Sequence, residues 1–247
     1  MLAACQGAHL EQCIAEHEKD SRAGVVSACA AARMRLTRHK AEIARLDELA
    51  RFEAELWSRG LTLIAGVDEV GRGALAGPVT AAACILPRDA ALTGLNDSKK
   101  LTAATREELD SAIRRAATAI GVAHVCASVI DAIGIAKATV QAMREALALL
   151  DVVPEHVVVD GLPVDIGHPM TAVVRGDGRV RVVAAASVVA KVARDALMVD
   201  LDEIHPGYGF AANKGYGSSD HLDAIHRLGV SAVHRRSFSP CSQESLF

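Results

Sequence analysis

The sequence predicts an α/β domain led by a helical segment. Five short apolar runs, 61–67, 79–86, 120–129, 156–160 and 170–174, read as strands set off by turn residues and charges. Residues 105–118, 135–150, 182–204 and 219–228 read as helices from the spacing of their apolar positions. Residues 1–59 stand apart, rich in Ala, Glu and Arg, with no proline and only two glycines.

From Met34 to Trp57, apolar residues recur at 36, 43, 46, 49, 52 and 56, close to helical spacing. Residues 1–59 are therefore expected to be a helical extension, packed on the main domain or a partner, and 60–247 the main domain. The chain is 51% hydrophobic but only 3% aromatic, so its core must be built from Ala, Val, Leu and Ile. No run reaches the ~18 uncharged apolar residues of a membrane helix. Leu2-Ala3-Ala4-Cys5 resembles a lipoprotein cleavage site, but no charged or apolar region precedes it, and it reads as chance. The six cysteines (5, 13, 29, 84, 126, 241) form no C-x-x-C pair. That argues against zinc and for reduced thiols in a cytoplasmic protein. A net charge of -3 does not announce a nucleic-acid binder, which would need a local basic face instead.

The most informative stretch is 61–78, L-T-L-I-A-G-V-D-E-V-G-R-G-A-L-A-G-P. An apolar strand delivers two adjacent carboxylates, Asp68 and Glu69, into a glycine-rich turn. Carboxylates at a strand end beside a cleft suit a divalent cation, because hard cations want oxygen ligands. Gly71 and Gly73 let the backbone approach a ligand closely, and Arg72 between them can meet a phosphate. A metal site beside a phosphate-approaching loop suggests phosphodiester chemistry. The bland alternative is a solvated acidic turn. A sharper rival is the dinucleotide fingerprint, since Gly71 to Ala76 fits G-x-G-x-x-G/A, but that pattern needs a helix next. Gly77-Pro78 and another apparent strand follow instead.

Farther along, Asn96-Asp97-Ser98-Lys99-Lys100 reads as a turn, and Thr105 with Glu108 as a helix cap. The first three strands, with little helix between them, suggest an antiparallel meander. H-V-V-V-D, 156–160, is a continuous apolar run and reads as a central, doubly covered strand. It ends in Asp160, and the next strand leads to Asp177. Three strands leading to acids point to one shared site, because neighbouring strand ends converge at a sheet edge. Five basic residues (175, 179, 181, 191, 194) face one acid between Arg175 and Arg194, which supplies the expected basic face. Asp195 reads as a partner for a basic side chain, with a metal neighbour as the alternative. Asn213-Lys214-Gly215-Tyr216-Gly217 is a second glycine-rich loop whose tyrosine can stack on a base or sugar.

With these residues assembled, the chain resembles bacterial ribonuclease HII from about Leu61 to Pro240. The resemblance rests on D-E-V-G-R-G-A-L-A-G-P-V, N-D-S-K-K-L, V-V-D-G, R-G-D, A-A-A-S-V-V-A-K-V-A-R-D-A-L-M, N-K-G-Y-G-S and H-R-R-S-F-S-P, in order. The leading segment is similar to the helical extension some bacterial members carry. The resemblance implies a ribonuclease H-like fold: a five-stranded mixed sheet flanked by helices, then a C-terminal helical region. It implies cleavage of RNA in RNA–DNA hybrids and of duplex DNA at single embedded ribonucleotides, on their 5′ side, leaving a 3′-hydroxyl and a 5′-phosphate. It places the catalytic, metal-binding carboxylates at Asp68, Glu69, Asp160 and Asp177, with two Mg²⁺ or Mn²⁺ ions between them. It places the ribonucleotide-sensing loop at Gly71, Arg72 and Gly73, and a sugar-contacting tyrosine at Tyr216. Lys99, Lys100, Lys191, Arg194 and Lys214 are candidate phosphate contacts, and a monomer is expected. Gly178-Arg179-Val180 departs from the family's usual small or polar run with lysine. A non-catalytic nucleic-acid module on the same fold, and a nicotinamide-dependent oxidoreductase, are the alternative readings.

Overall fold

The computed structural model describes residues 7–242; Leu2-Ala3-Ala4-Cys5 lies outside them. Two helices lead, α1 (Gly7–Glu16) and α2 (Ala23–Ser58). By compactness the chain divides into residues 1–48 and 49–247, whereas the compositional boundary lies at 59/60. In the first unit Leu10, Cys13, Ile14 and Ala32 form a small apolar cluster.

The second unit is organised on one five-stranded sheet, in the order β3-β2-β1-β4-β5. Its strands are β1 (Ile64–Val70), β2 (Val79–Ile85), β3 (Ala119–Val125), β4 (His156–Asp160) and β5 (Met170–Val173). β1, β2 and β3 pair antiparallel, as the meander predicts, and β4 and β5 join parallel to β1, which makes the sheet mixed. The helices are α3 (Ala103–Ala116), α4 (Ala127–Ile133), α5 (Ile135–Ala148), α6 (Arg181–Ile204), α7 (Phe210–Asn213) and α8 (Ser219–Leu228).

The sparse aromatic content is matched by close packing of small residues. Alanines and valines of β1 to β4 meet Ala138, Ala142, Met143, Ala146 and Leu147 of α5 in one core. A Cβ at Gly121 would collide with the Ala146 carbonyl, so α5 can come this close only because position 121 has no side chain. Gly66 plays the same part for α6: a Cβ there would strike the Val182–Val183 backbone. The residues from Val182 to Ala190 are buried without exception. Helix α6 thus lies directly against β1, the strand that carries the acids.

Local signals explain most boundaries. Thr102, not Thr105, caps α3: its hydroxyl accepts the Thr105 N–H at 3.2 Å, and the helix begins two residues earlier than its sequence suggests. The apolar run 120–129 is split, because Cys126 turns the chain out of β3 into α4. Strand β1 runs past the expected end at 67 to Val70, since Asp68, Glu69 and Val70 keep their pairing with β2. Its parallel pairing with β4 stops at Val67↔Val159, and the acids lie just beyond that point.

Candidate active site

Three aspartates converge where the parallel pairing gives out. Asp68 sits in β1, Asp160 ends β4, and Asp177 lies in the short helical turn Gly176–Gly178 after β5. Each offers a carboxylate oxygen within 4.8 Å of the others. Asp68 and Asp177 are buried and Asp160 is half-buried. Asp160 accepts the Gly176 N–H at 2.6 Å, tying the end of β4 to the turn that holds Asp177. Asp68 accepts the Glu69 N–H at 2.8 Å and a hydrogen bond from the Ser187 hydroxyl on α6.

Concentrated charge shows in the protonation of these groups. Burial pushes Asp68 well above the usual carboxylate range, and the charges of Glu69 and Asp160 add to it. Burial also raises Asp160 against the opposing Gly176 hydrogen bond, and raises Glu69 against the opposing Arg72. Buried carboxylates held this close are costly without cations. Lys99 supplies one: its Nζ lies 3.2 Å from Asp177 Oδ2. Burial alone would lower the Lys99 ammonium, but the hydrogen bond and charge of Asp177, then Asp68 and Asp97, outweigh it and raise it.

Glu69 is not one of the three converging acids. Its Oε1 is held by Arg72 at 3.1 Å, and its buried Oε2 has no hydrogen-bond partner. Three clustered carboxylates and an adjacent carboxylate oxygen without a donor form an all-oxygen set, which fits a hard divalent cation.

The glycine-rich loop runs beside the cluster. Gly71 has φ +88° and is covered by Arg194, with which any Cβ would collide; Arg72 and Gly73 are exposed. The second loop docks on the first, for the Leu75 and Ala76 N–H groups donate to the Gly215 carbonyl at 2.7 and 3.2 Å. Tyr216 follows, 38% exposed, with the Arg194 guanidinium 5.5 Å from its ring centre.

The basic candidates divide sharply. Lys100 is exposed and 3.9 Å from Asp97. Lys191 bonds Asp195 at 2.7 Å, the carboxylate expected to partner a base, and Lys214 Nζ reaches the Asp195 carbonyl at 3.3 Å. Arg194 requires a correction as a phosphate contact. It is fully buried and donates to the carbonyls of Pro78, Lys214 and Ala76, so it ties the two loops together and does not face solvent. Arg181 is also buried, paired with Glu53 at 3.1 Å. The basic face between 175 and 194 is therefore narrower than the sequence suggests, with Arg175 and Arg179 its exposed members.

Sequence reasoning passed over Ser187, Glu53, His221, His234 and Arg235. Ser187 bonds both Asp68 and the Ser98 hydroxyl, the latter at 2.9 Å, and so links the Asn96–Lys100 turn to the cluster. Its signals were a serine inside an alanine run on a buried helix and its place in the A-A-A-S motif.

A five-stranded mixed sheet of this order, with aspartates from two strands and the turn after a third converging at one edge, defines a metal-dependent nuclease of the ribonuclease H-like fold. The rival dinucleotide fold is excluded, because strand β2 and not a helix follows the glycine loop. The ribonuclease HII family model matches residues 65–241, and the ribonuclease HII N-terminal domain matches residues 1–57. A ribonuclease HII of Geobacillus thermodenitrificans (strain NG80-2) is 49% identical over 222 residues, 90% of this chain and 86% of the relative. The ribonuclease H2 structure from Pyrococcus horikoshii OT3 is similar at a TM-score of 0.62 and 26% identity, over 73% of this chain and 95% of that one. The enzyme in the PCNA:RNase HII complex from Archaeoglobus fulgidus is similar at 0.59 and 27%, over 71% and 95%. The chain belongs to the ribonuclease HII family. It is a metal-dependent endoribonuclease with ribonuclease H activity on RNA–DNA hybrids. No helix among the described residues is long and apolar enough to cross a membrane.

Proposed function

We propose that this enzyme, besides degrading the RNA of hybrids, nicks duplex DNA on the 5′ side of single embedded ribonucleotides, leaving a 3′-hydroxyl and a 5′-phosphate. The observation that carries the reading is the Asp68–Asp160–Asp177 cluster beside an exposed Arg72-Gly73 turn. Asp68, Asp160 and Asp177, joined by Glu69, would hold two Mg²⁺ or Mn²⁺ ions. When bound, such ions activate water and stabilise the leaving oxygen of an in-line displacement.

The remaining work falls to the chain's own groups. RNA is told from DNA by the 2′-hydroxyl, and backbone groups of Gly71 to Gly73, in the turn directly after the strand that carries Asp68 and Glu69, serve as its donors and acceptors. Tyr216 packs its exposed ring on the neighbouring sugar. Lys99, Lys100, Lys191 and Lys214 position the duplex through its phosphates, without reading sequence. With a cation held by Asp177, Lys99, which now pairs with that carboxylate, would be free to offer its ammonium to the substrate. The enzyme works as a cytoplasmic monomer, with residues 1–59 an accessory extension.

The test is incubation with Mg²⁺ and a DNA duplex bearing one ribonucleotide. The reading expects a single nick 5′ of that residue. No cleavage, or equal cleavage of the all-DNA duplex, would overturn it.

A further inference from the structure

Arg235 is fully buried, yet among the described residues no carboxylate pairs with it. Arg181, buried to a similar degree, has Glu53 as its counter-ion. A buried guanidinium whose hydrogen bonds all go to neutral carbonyls, with the Asp131 carboxylate acting on it only through charge, is expensive and needs a reason. Its hydrogen bonds supply one. Nη1 donates to the Arg72 carbonyl at 2.8 Å, while Nε and Nη2 both donate to the Gly77 carbonyl, at 3.0 and 2.9 Å. One rigid planar fork thus spans the glycine-rich loop from its tip to its end, which a lysine's single ammonium could not do.

The grip on Arg72 has a geometric consequence. In a trans peptide the carbonyl and the following N–H point in opposite directions. Drawing the Arg72 carbonyl inward aims the Gly73 N–H outward. Gly73 is exposed, a Cβ there would meet nothing within 4 Å, and no described group accepts its N–H. The Arg72 side chain meanwhile reaches Glu69, which ties the turn that carries this donor to the carboxylate next to Asp68. The segment that carries Arg235 is fixed by backbone bonds to the same loop: Arg235 N–H to the Leu75 carbonyl at 2.8 Å, and Gly77 N–H to the Val233 carbonyl at 2.9 Å.

We propose that Arg235 is a specificity-determining positioning residue, acting through the Arg72 carbonyl to hold the Gly73 N–H as a donor to the ribose 2′-hydroxyl. The inference rests on the reading that the loop senses ribonucleotides. It predicts that selectivity, not metal binding, depends on a residue with no contact to substrate.

The experiment compares the full chain with Arg235→Lys, Arg236→Ala, Gly73→Pro and the Arg235→Lys/Gly73→Pro double variant. Affinity for a duplex carrying one ribonucleotide is measured against the same all-DNA duplex, with Ca²⁺ in place of Mg²⁺. Mn²⁺ affinity and thermal midpoint are read alongside. Arg235→Lys should cut the ribonucleotide preference about tenfold, the scale of one hydrogen bond, and leave Mn²⁺ and all-DNA affinity within about twofold of wild type. Gly73→Pro, which lacks the N–H, should lose the preference equally, and the double variant no more, because coupled residues are not additive. Arg236→Ala, which removes an exposed charge next door, should keep it. A wild-type preference in Arg235→Lys overturns the proposal, as does a parallel fall in both affinities and the midpoint. If Arg235→Lys does not fold, wild-type preference in Gly73→Pro overturns it, and lost preference with Mn²⁺ binding intact supports it. A wild-type enzyme without any preference would instead sink the functional reading.

Discussion

Glu53 Oε1 lies 3.1 Å from Arg181 Nη2, and its Oε2 accepts the Val182 N–H at 3.1 Å. One carboxylate therefore neutralises a buried guanidinium and caps the first turn of the helix that carries Ser187. Arg181 spends its other donors on the Pro87, Arg88 and Ala90 carbonyls. Removing one partner of a buried pair leaves an uncompensated charge, at about 3–5 kcal/mol. A protein starting at residue 49 should fold and cleave. One starting at residue 59 should lose stability on that scale. Chemical denaturation of the two truncations checks this, and equal stability would dismiss the role of Glu53.

Asp68→Asn and Asp160→Asn should each lower cleavage by at least about a hundredfold, more than the loss of an outer-shell partner costs. The metal-free thermal midpoint should hold or rise, because burial and neighbouring acids already strain these charges. Cleavage rates with thermal scans in chelator test both halves.

Tyr216→Ala should slow cleavage at a single ribonucleotide by about ten- to a hundredfold, from a lost stacking contact of about 1–3 kcal/mol. Tyr216→Phe should lose much less, since the ring over Arg194 is kept. Mn²⁺ affinity by calorimetry should not move in either. Unchanged cleavage in the alanine variant would remove the tyrosine from the account.

Acid should loosen the C-terminal region through a histidine pair. His221 Nδ1 contacts the Tyr216 carbonyl at 2.8 Å, and so must carry a proton. His234 Nδ1 receives the Ser231 N–H at 2.9 Å, and so must not. The two Nε2 atoms, 3.1 Å apart, then share the His234 proton. Burial, then the charges of His221 and His205, pushes His234 down from the ordinary 6.5 to about 4, and burial lowers His221 as well. The unfolded chain binds these protons more readily. Stability from this pair is thus fully present above the unfolded value near 6.5 and is lost as pH falls toward about 4. Thermal midpoints across that window should decline, and His234→Gln should show a shallower decline from a lower start. An unchanged slope in that variant would assign the acid loss elsewhere.

Much of the fold was legible because strands and turns declare themselves locally. The five apolar runs appear as five strands, and Ser219–Leu228 is a helix with the expected ends. Asp68, Asp160 and Asp177 were legible for a topological reason, namely that acids at adjacent strand ends must meet. What stayed hidden depends on three-dimensional burial. Arg194 and Lys191 look alike in sequence, but one faces the loop carbonyls and the other faces Asp195. Glu53 lies between Leu49 and Leu56 on one helical stripe, a buried acid that only the position of Arg181 explains. α4 was hidden by the continuous apolar character of 120–129.

The central claim is that Asp68, Asp160 and Asp177 together hold the catalytic metal. Crystals soaked in Mn²⁺ and measured at its absorption edge test this most directly. The account predicts an anomalous peak at coordination distance from an oxygen of each aspartate, with Lys99 drawn off Asp177, and no peak in Asp160→Asn at the same Mn²⁺ concentration. A peak elsewhere with the Lys99–Asp177 pair undisturbed, or full occupancy in Asp160→Asn, would contradict it.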